Sequence, residues 1–339
     1  MAYIYTAFDP LDDIITDISE IQTAPIWTDN TATLSGFFTS STQSGSSNVT
    51  SYLDVLNGTA ASSTTQFSIT YGHYAGSGSA DYDNTSKPGV SPSRAIYGQY
   101  ANLLLADGTD KFTLGGSEVD DILVININRA RFKEQLDPGN WQLNLDGNGK
   151  QDSDILHLVD SSDSATSTIN EAGRVYDVVS GSITSGPYST AASHSFGKVF
   201  VDQGIIVLNP TKLGNATTYV RAAAANTFGD NVGSFLNTIT GSATGAIPKF
   251  TARNKEEVKS THYFVRVKNQ AYNYSDNPTF VTGSDATLRY ADFKNNPNTY
   301  ITAIGMYDGS DNCLAIAKLS KPLLKSFSRE ALIKVKLEY

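Results

Sequence analysis

Along most of this chain apolar and polar positions alternate, the period of an extended strand. "TTQFSITYGHY" places Phe67, Ile69 and Tyr71 on one face. "KFTLGG" and "DDILVININRARF" read as strands around a Gly115-Gly116 turn, and Val124, Ile125 and Ile127 require burial on at least one face. "NWQLNLDGNG" runs into a tight turn and "DILHLVDSS" leads out of it. "GRVYDVVSGSI" and "KVFVDQGIIVLNP" continue the pattern, with Val199, Val201 and Ile205 to Leu208 forming a core pair around Gly204. "HYFVRVKNQAYNYS", "TYITAIGMYD", "CLAIAKLSKPLL" and "EALIKVKLEY" complete the set, and "YDGSDN" and "NNPN" have hairpin-turn chemistry. In the last segment Ala331, Ile333, Val335, Leu337 and Tyr339 share one face, and Leu332, Lys334, Lys336 and Glu338 the other. It is expected beside "CLAIAKL", apolar face buried and the two lysines toward solvent or an acidic neighbour.

Helical spacing is rarer. After "YGHYAGSGSADYDNTSKPGV", Ser91 is a fitting N-cap and Pro92 a fitting first residue of a helix whose stripe is Ile96, Tyr100, Leu103 and Leu104. A brief helix is predicted over 49–56, ending at Asn57-Gly58, and one or two helices between 211 and 239. In "DPLDDIITDISEIQTAPIW", Leu11, Ile14, Ile15, Ile18 and Ile21 suit a short amphipathic helix or an arm that folds against a neighbour. A Ser/Thr/Gly-rich stretch follows at 38–48. No fixed-period repeat is visible, which argues against solenoids and propellers. The fold class is mainly β, with sandwich- or barrel-like modules, a few short helices and long polar loops. Three regions are expected: an N-terminal arm with a short helix at 1–65, a β-rich acidic body at 66–248 with helices near 92–105 and 215–238, and a basic β module at 249–339.

Composition narrows the function. Only 17% of the 339 residues are charged, against 40% hydrophobic. No run of eighteen apolar residues exists, so no membrane-spanning helix is expected. The N-terminus lacks the basic and apolar regions of a secretion signal. Residues 1–248 carry 11 basic and 25 acidic side chains, and residues 249–339 carry 14 basic and 9 acidic. That balance argues against broad nucleic-acid binding, which needs a basic face. Complementary potentials between copies or neighbouring subunits are the more natural use. The single Cys313 excludes an intrachain disulfide and reads as a small buried apolar residue.

The search for chemistry returns little. The Gly76 to Ser79 loop is followed by Asp81 and Asp83 where an anion would sit, so a phosphate role is disfavoured. His73, His157, His194 and His262 stand in unrelated contexts, and His157 suits a partly buried strand position. Ser193-His194-Ser195 lacks a nucleophile-elbow pattern. Asp146, Asn148, Asp152 and Asp154 crowd one turn, but Lys150, Gln151 and His157 occupy positions where a calcium loop needs an oxygen ligand, Gly and Glu. A polar hairpin turn explains them better. No catalytic, cofactor-binding or metal-binding residue is assigned, and no enzyme activity is expected. The candidate partner-binding residues are Leu11, Ile14, Ile15, Ile18, Lys334 and Lys336.

Long runs carry a resemblance: "SRAIYGQYANLLL", "VININRARFKEQLDPGNWQLNL", "GRVYDVVSGS", "GIIVLNP", "ARNKEEVKSTHYFVRVKNQAYNYSDNPTF" and "CLAIAKLSKPLLKSFSREALIKVKLEY". From about residue 66 onward the chain resembles a family of virion structural proteins of contractile-tailed, myovirus-type bacteriophages. The resemblance implies a tail or baseplate component, with neck or head decoration as the alternative. It implies localisation in the virion after assembly in host cytoplasm, and partners among other virion proteins and copies of itself. It implies no catalytic residues. A carbohydrate-binding, fibre-associated module and a hydrolytic tail enzyme are the rivals; the first needs exposed aromatics on one face, the second a cleft with paired carboxylates.

Overall fold

A computed structural model describes residues 5–40, 52–59, 62–76, 78, 92–147, 155–163, 167–189, 191–222, 228–240, 249–283 and 285–338. The protein is mainly β, with 48% of residues in strands and 14% in helices. It divides into two compact units: Gln22–Glu256, and a second made of Met1–Ile21 with Glu257–Tyr339.

One thirteen-stranded sheet organises the larger unit. At its centre Asp121–Ile127 lies between Thr65–His73 and Ile205–Leu208, all antiparallel, with Ile69 opposite Ile125 and Val207 opposite Val124. The run "ILV" in the first of these is apolar on successive positions because both faces are covered. Leu123, Ile125 and Ile127 enter one core, together with Phe67, Ile69, Tyr71, Trp141 and Phe250. Ile122 and Val124 enter the other, with Ile205, Val207 and Phe200. Each core is closed by a helix. α1 (Ser93–Leu104) covers one face through Tyr97, Tyr100, Ala101 and Leu104. α3 (Phe228–Thr240) covers the other through Val232, Phe235 and Ile239. Between them in sequence, α2 (Pro210–Ala216) starts at Asn209, whose side-chain oxygen accepts from the N–H groups of Thr211 and Lys212.

The sheet continues from Ile205–Leu208 through Gly197–Phe200, Gly173–Ser182, Ile155–Asp160 and Gln142–Asp146. The hairpin between Gly197–Phe200 and Ile205–Leu208 turns at Gly204, at φ +67°.

A four-stranded sheet has the order Ile14–Pro25, Arg253–Val267, Ala331–Glu338, with Gln135–Leu136 also pairing Arg253–Val267 at Asn254 and Lys255; its part in the smaller unit is formed by the first three of these. The first two strands are also the places where the chain passes from one unit to the other. Val335 lies opposite Tyr263 and Ile333 opposite Val265, antiparallel. Asp13 C=O accepts from Phe264 N–H at 2.8 Å, and the hydroxyls of Thr16 and Thr261 meet at 3.0 Å. A separate two-stranded ribbon pairs Thr299–Tyr307 with Cys313–Lys325. Fully buried Lys325 ties down the segment before it, donating to Asn269 C=O, Asn273 Oδ1 and Ser326 C=O at 2.8–3.0 Å.

Several expectations are corrected. Residues 14–25 form a strand rather than a helix, because the apolar positions there answer a strand partner 240 or so residues away. Tyr52–Leu56 is likewise a strand, pairing with Thr65–His73, so the helix expected over 49–56 is absent from its described part. The buried stripe of α1 runs through Tyr97 rather than Leu103, which is 46% exposed. Cys313 is exposed. The strand Ala331–Glu338 pairs with Arg253–Val267 and not with "CLAIAKL". "NNPN" follows a 3₁₀ turn at Ala291–Lys294 and closes no hairpin. Ser91, most of the Gly76–Pro88 loop, residues 41–51 and the 148–154 turn lie outside the described residues.

Candidate interaction surface

The two units differ sharply in what they bury. Among the described residues, buried apolar side chains of the smaller unit are Val267, Phe280 and Val281 alone, whereas both continuous cores belong to the larger one. Among the described residues, thirteen of the twenty-one exposed large apolar side chains lie in the smaller unit. Alternation explains part of this. In Ala331–Glu338, residues Ala331, Ile333, Val335 and Leu337 are half-buried, while Leu332, Lys334, Lys336 and Glu338 are exposed. The facing expected from sequence therefore holds, with less burial than a core strand would have. In the ribbon, Leu314 and Ile316 are 64% and 69% exposed, and Tyr300 and Tyr307 also face solvent. An isolated two-stranded ribbon is marginal in water, and apolar groups on it gain stability by being covered.

The sequence-predicted partner residues all fall in this unit. Leu11 is 91% exposed at a turn, Ile15 is exposed and Ile14 half-buried in the first strand. Of Ile18 the described structure gives the backbone only. Lys334 stands 5.8 Å over the Phe264 ring, and Lys336 pairs with Glu338 along its own strand. Tyr300, Tyr307, Leu314 and Ile316 were missed, because "TYITAIGMYD" and "CLAIAKL" read from sequence as core strands.

The charge asymmetry changes once the chain is folded. Residues 1–21 carry five carboxylates and no basic group; residues 257–339 carry eleven basic and eight acidic groups. Joined in one unit, they nearly balance.

The larger unit holds a polar cleft of about 550 Å³. Its walls are three turns. Asp137-Pro138-Gly139-Asn140 is a tight turn with Gly139 at φ +79°, closed by Asn140 N–H donating to Asp137 C=O. Asp160 is 2% exposed, and its carboxylate accepts from Gly139 N–H and from both N–H and hydroxyl of Ser162, so it fastens two turns together. The Ser182–Gly186 turn forms the third wall, with Ile183 N–H donating to Gln142. Asp137 is 6% exposed, and burial pushes its carboxyl pKa up, against the Asn140 hydrogen bond at 2.6 Å and the Lys255 charge. Asp163, Arg174 and Lys255 also line the cleft. A cleft bearing carboxylates is thus present, although Asp160 is spent on backbone N–H groups. The "DPGN" run, not picked out from the sequence, carries the turn chemistry that could have signalled its first wall.

A second polar group lies buried elsewhere in this unit. Tyr71 Oη donates to Asp121 at 3.0 Å, and Arg221 pairs with the same carboxylate. Burial raises the Tyr71 pKa, with the Asp121 charge adding to it, and burial also raises Tyr219. Both phenols are held protonated, the opposite of activation for proton transfer. His157 is half-buried as expected, bonded to Asn144 at 2.8 Å, and burial lowers its pKa. Among the described residues no three His, Cys, Asp or Glu side chains are placed to hold a metal ion, and no helix is long and apolar enough to cross a membrane.

Comparison with family models, curated proteins and solved structures gave no match to this chain.

Proposed function

We propose that this chain is a non-enzymatic structural component of a phage particle, in the tail or baseplate, acting through contacts between subunits. The observation that carries the proposal is the smaller unit: strands with almost no apolar core of their own, which among the described residues hold thirteen of the twenty-one exposed large apolar side chains. A unit of this size stabilises itself chiefly by burying apolar area, at about 25 cal/mol per Å². Here that area remains available to a neighbour, and loops and strand edges of this kind join subunits by main-chain hydrogen bonds. The resemblance in the runs quoted above supplies the particle; neck and head decoration are the alternative positions. The test is cryo-EM of purified particles together with mass spectrometry of their proteins. The chain is expected at stoichiometric copy number, with the ribbon and the outer strands covered. Its absence from particles would end the proposal.

The polar cleft, and the exposed tyrosines Tyr272, Tyr274, Tyr290, Tyr300 and Tyr307, favour a second reading as a carbohydrate-binding module. Glycan-array binding by the isolated chain, lost on substitution of cleft or tyrosine residues, would replace the first reading with this one.

A further inference from the structure

The sheet of the smaller unit ends in two different edges. Arg253–Val267 is its middle strand; Ile14–Pro25 lies on one side and Ala331–Glu338 on the other. Among the described residues neither outer strand has another strand beyond it. An edge of this kind presents a row of N–H and C=O groups ready to pair. The two edges carry opposite charge. The first strand and the turn before it hold Asp12, Asp13, Asp17 and Glu20, with no basic residue between positions 1 and 21. The last strand exposes Lys334 and Lys336, the second of them paired with Glu338 on the same strand, so this edge is net basic. Each edge also shows an apolar group to solvent: Ile15 at 51% and Ile21 at 55% on the acidic side, Leu332 at 61% on the basic side.

Resting on the structural role proposed above, we infer that this sheet continues from one copy of the chain to the next, the acidic edge strand of one copy pairing with the basic edge strand of another. The charges select this arrangement over its rivals. Pairing two last strands would set lysines against lysines, and pairing two first strands would set carboxylates against carboxylates, either of which is unfavourable. Only the unlike pairing brings opposite signs together while covering Ile15, Ile21 and Leu332. The lysines thus guard the edge against indiscriminate partners and admit one. Because the two edges differ, the contact is head-to-tail: it closes into a ring if the rotation per copy allows and otherwise extends as a helix. The unit as a whole is near neutral, so the attraction is local to the edges and falls off within a Debye length, about 8–10 Å at moderate salt.

The experiment uses the full-length chain in analytical ultracentrifugation and native mass spectrometry at low and high salt. Wild type is expected to self-associate, less so as salt rises. Lys334→Glu with Lys336→Glu makes both edges acidic, and Asp12→Lys with Asp17→Lys and Glu20→Lys makes both basic. Each variant alone is expected to associate roughly tenfold or more weakly. An equimolar mixture of the two is expected to recover association, because each variant then meets its opposite in the other. Circular dichroism and unfolding curves matching wild type establish that both variants fold; a variant that does not fold is replaced by the single Lys334→Glu or Glu20→Lys. A monomeric wild type, variants that associate like wild type, or a mixture that stays monomeric would each overturn the inference. Those outcomes leave the particle role standing if the chain is found in virions, whereas absence from virions removes that role whatever the solution behaviour.

Discussion

Asp137→Asn removes a cleft carboxyl whose ionisation is opposed by its surroundings. The side chain is 6% exposed and its pKa is raised, by burial first; the Asn140 hydrogen bond and the Lys255 charge pull it down, and the Asp160 charge pushes it up. The folded state therefore holds this proton more tightly than the unfolded chain, whose carboxyl titrates near 3.8. As pH rises through 3.8 the unfolded state releases its proton first. The stability contributed by the protonated carboxyl is full below that pH and is lost as pH rises through the folded value. A single proton is involved, so the slope cannot exceed about 1.4 kcal/mol per pH unit. Asn keeps an oxygen for the Asn140 N–H and cannot ionise. Subtracting the two proteins' unfolding free energies at each pH should give a curve that rises in the variant's favour above pH 3.8 and then levels off. Urea titrations followed by the fluorescence of Trp27 and Trp141, both buried in the larger unit, would supply it. A flat difference, or one favouring wild type as pH rises, would show that Lys255 and Asn140 outweigh burial, and the account of this site would fail.

Asp160→Ala should cost about 1–3 kcal/mol in the same urea titrations, because it removes the acceptor from the half-buried N–H groups of Gly139 and Ser162. Gly197→Ala should cost at least about 2 kcal/mol, since its Cβ would lie 2.0 Å from Val207 C=O. The Tyr97 pKa is pushed up to about 12, chiefly by burial, so ultraviolet titration should show one fewer late-ionising tyrosine in Tyr97→Phe. Ile15→Ser with Leu332→Ser should change unfolding by less than about 0.5 kcal/mol per site while weakening self-association in the ultracentrifuge, because both side chains are already in solvent.

The larger unit was legible because each level of its sequence agrees. Phe67, Ile69 and Tyr71 alternate and do share a core; Ile205 to Leu208 are continuously apolar and are buried on both faces. Residues 14–25 and 52–56 misled because a short apolar run does not declare its period; partners distant in sequence made them strands. α1 was found, but Tyr97 took the place of Leu103, since the sheet beneath it and not the helix alone chooses the buried stripe. The outward-facing apolar groups of the ribbon were unreadable for a different reason. A sequence pattern shows that a side chain seeks cover, but not whether its own chain provides it. The cleft was not anticipated: "DPGN" has turn chemistry that went unused, and Asp160 sits some twenty residues further on and meets it only in the folded chain.

Residues 14–21 find their strand partner beyond position 256, so that sheet closes a loop of more than two hundred residues. Closing such a loop in an unfolded chain costs several kcal/mol of entropy, and contacts this distant form slowly. The folded larger unit removes most of that difficulty, since within it Ala24 N–H already donates to Asn254 Oδ1 at 2.8 Å. Its two chain exits are thereby held within reach of each other before the outer sheet forms. The outer sheet is therefore expected to form after the larger unit, on a chain whose main core is complete, so that an unfinished body would not display its edges.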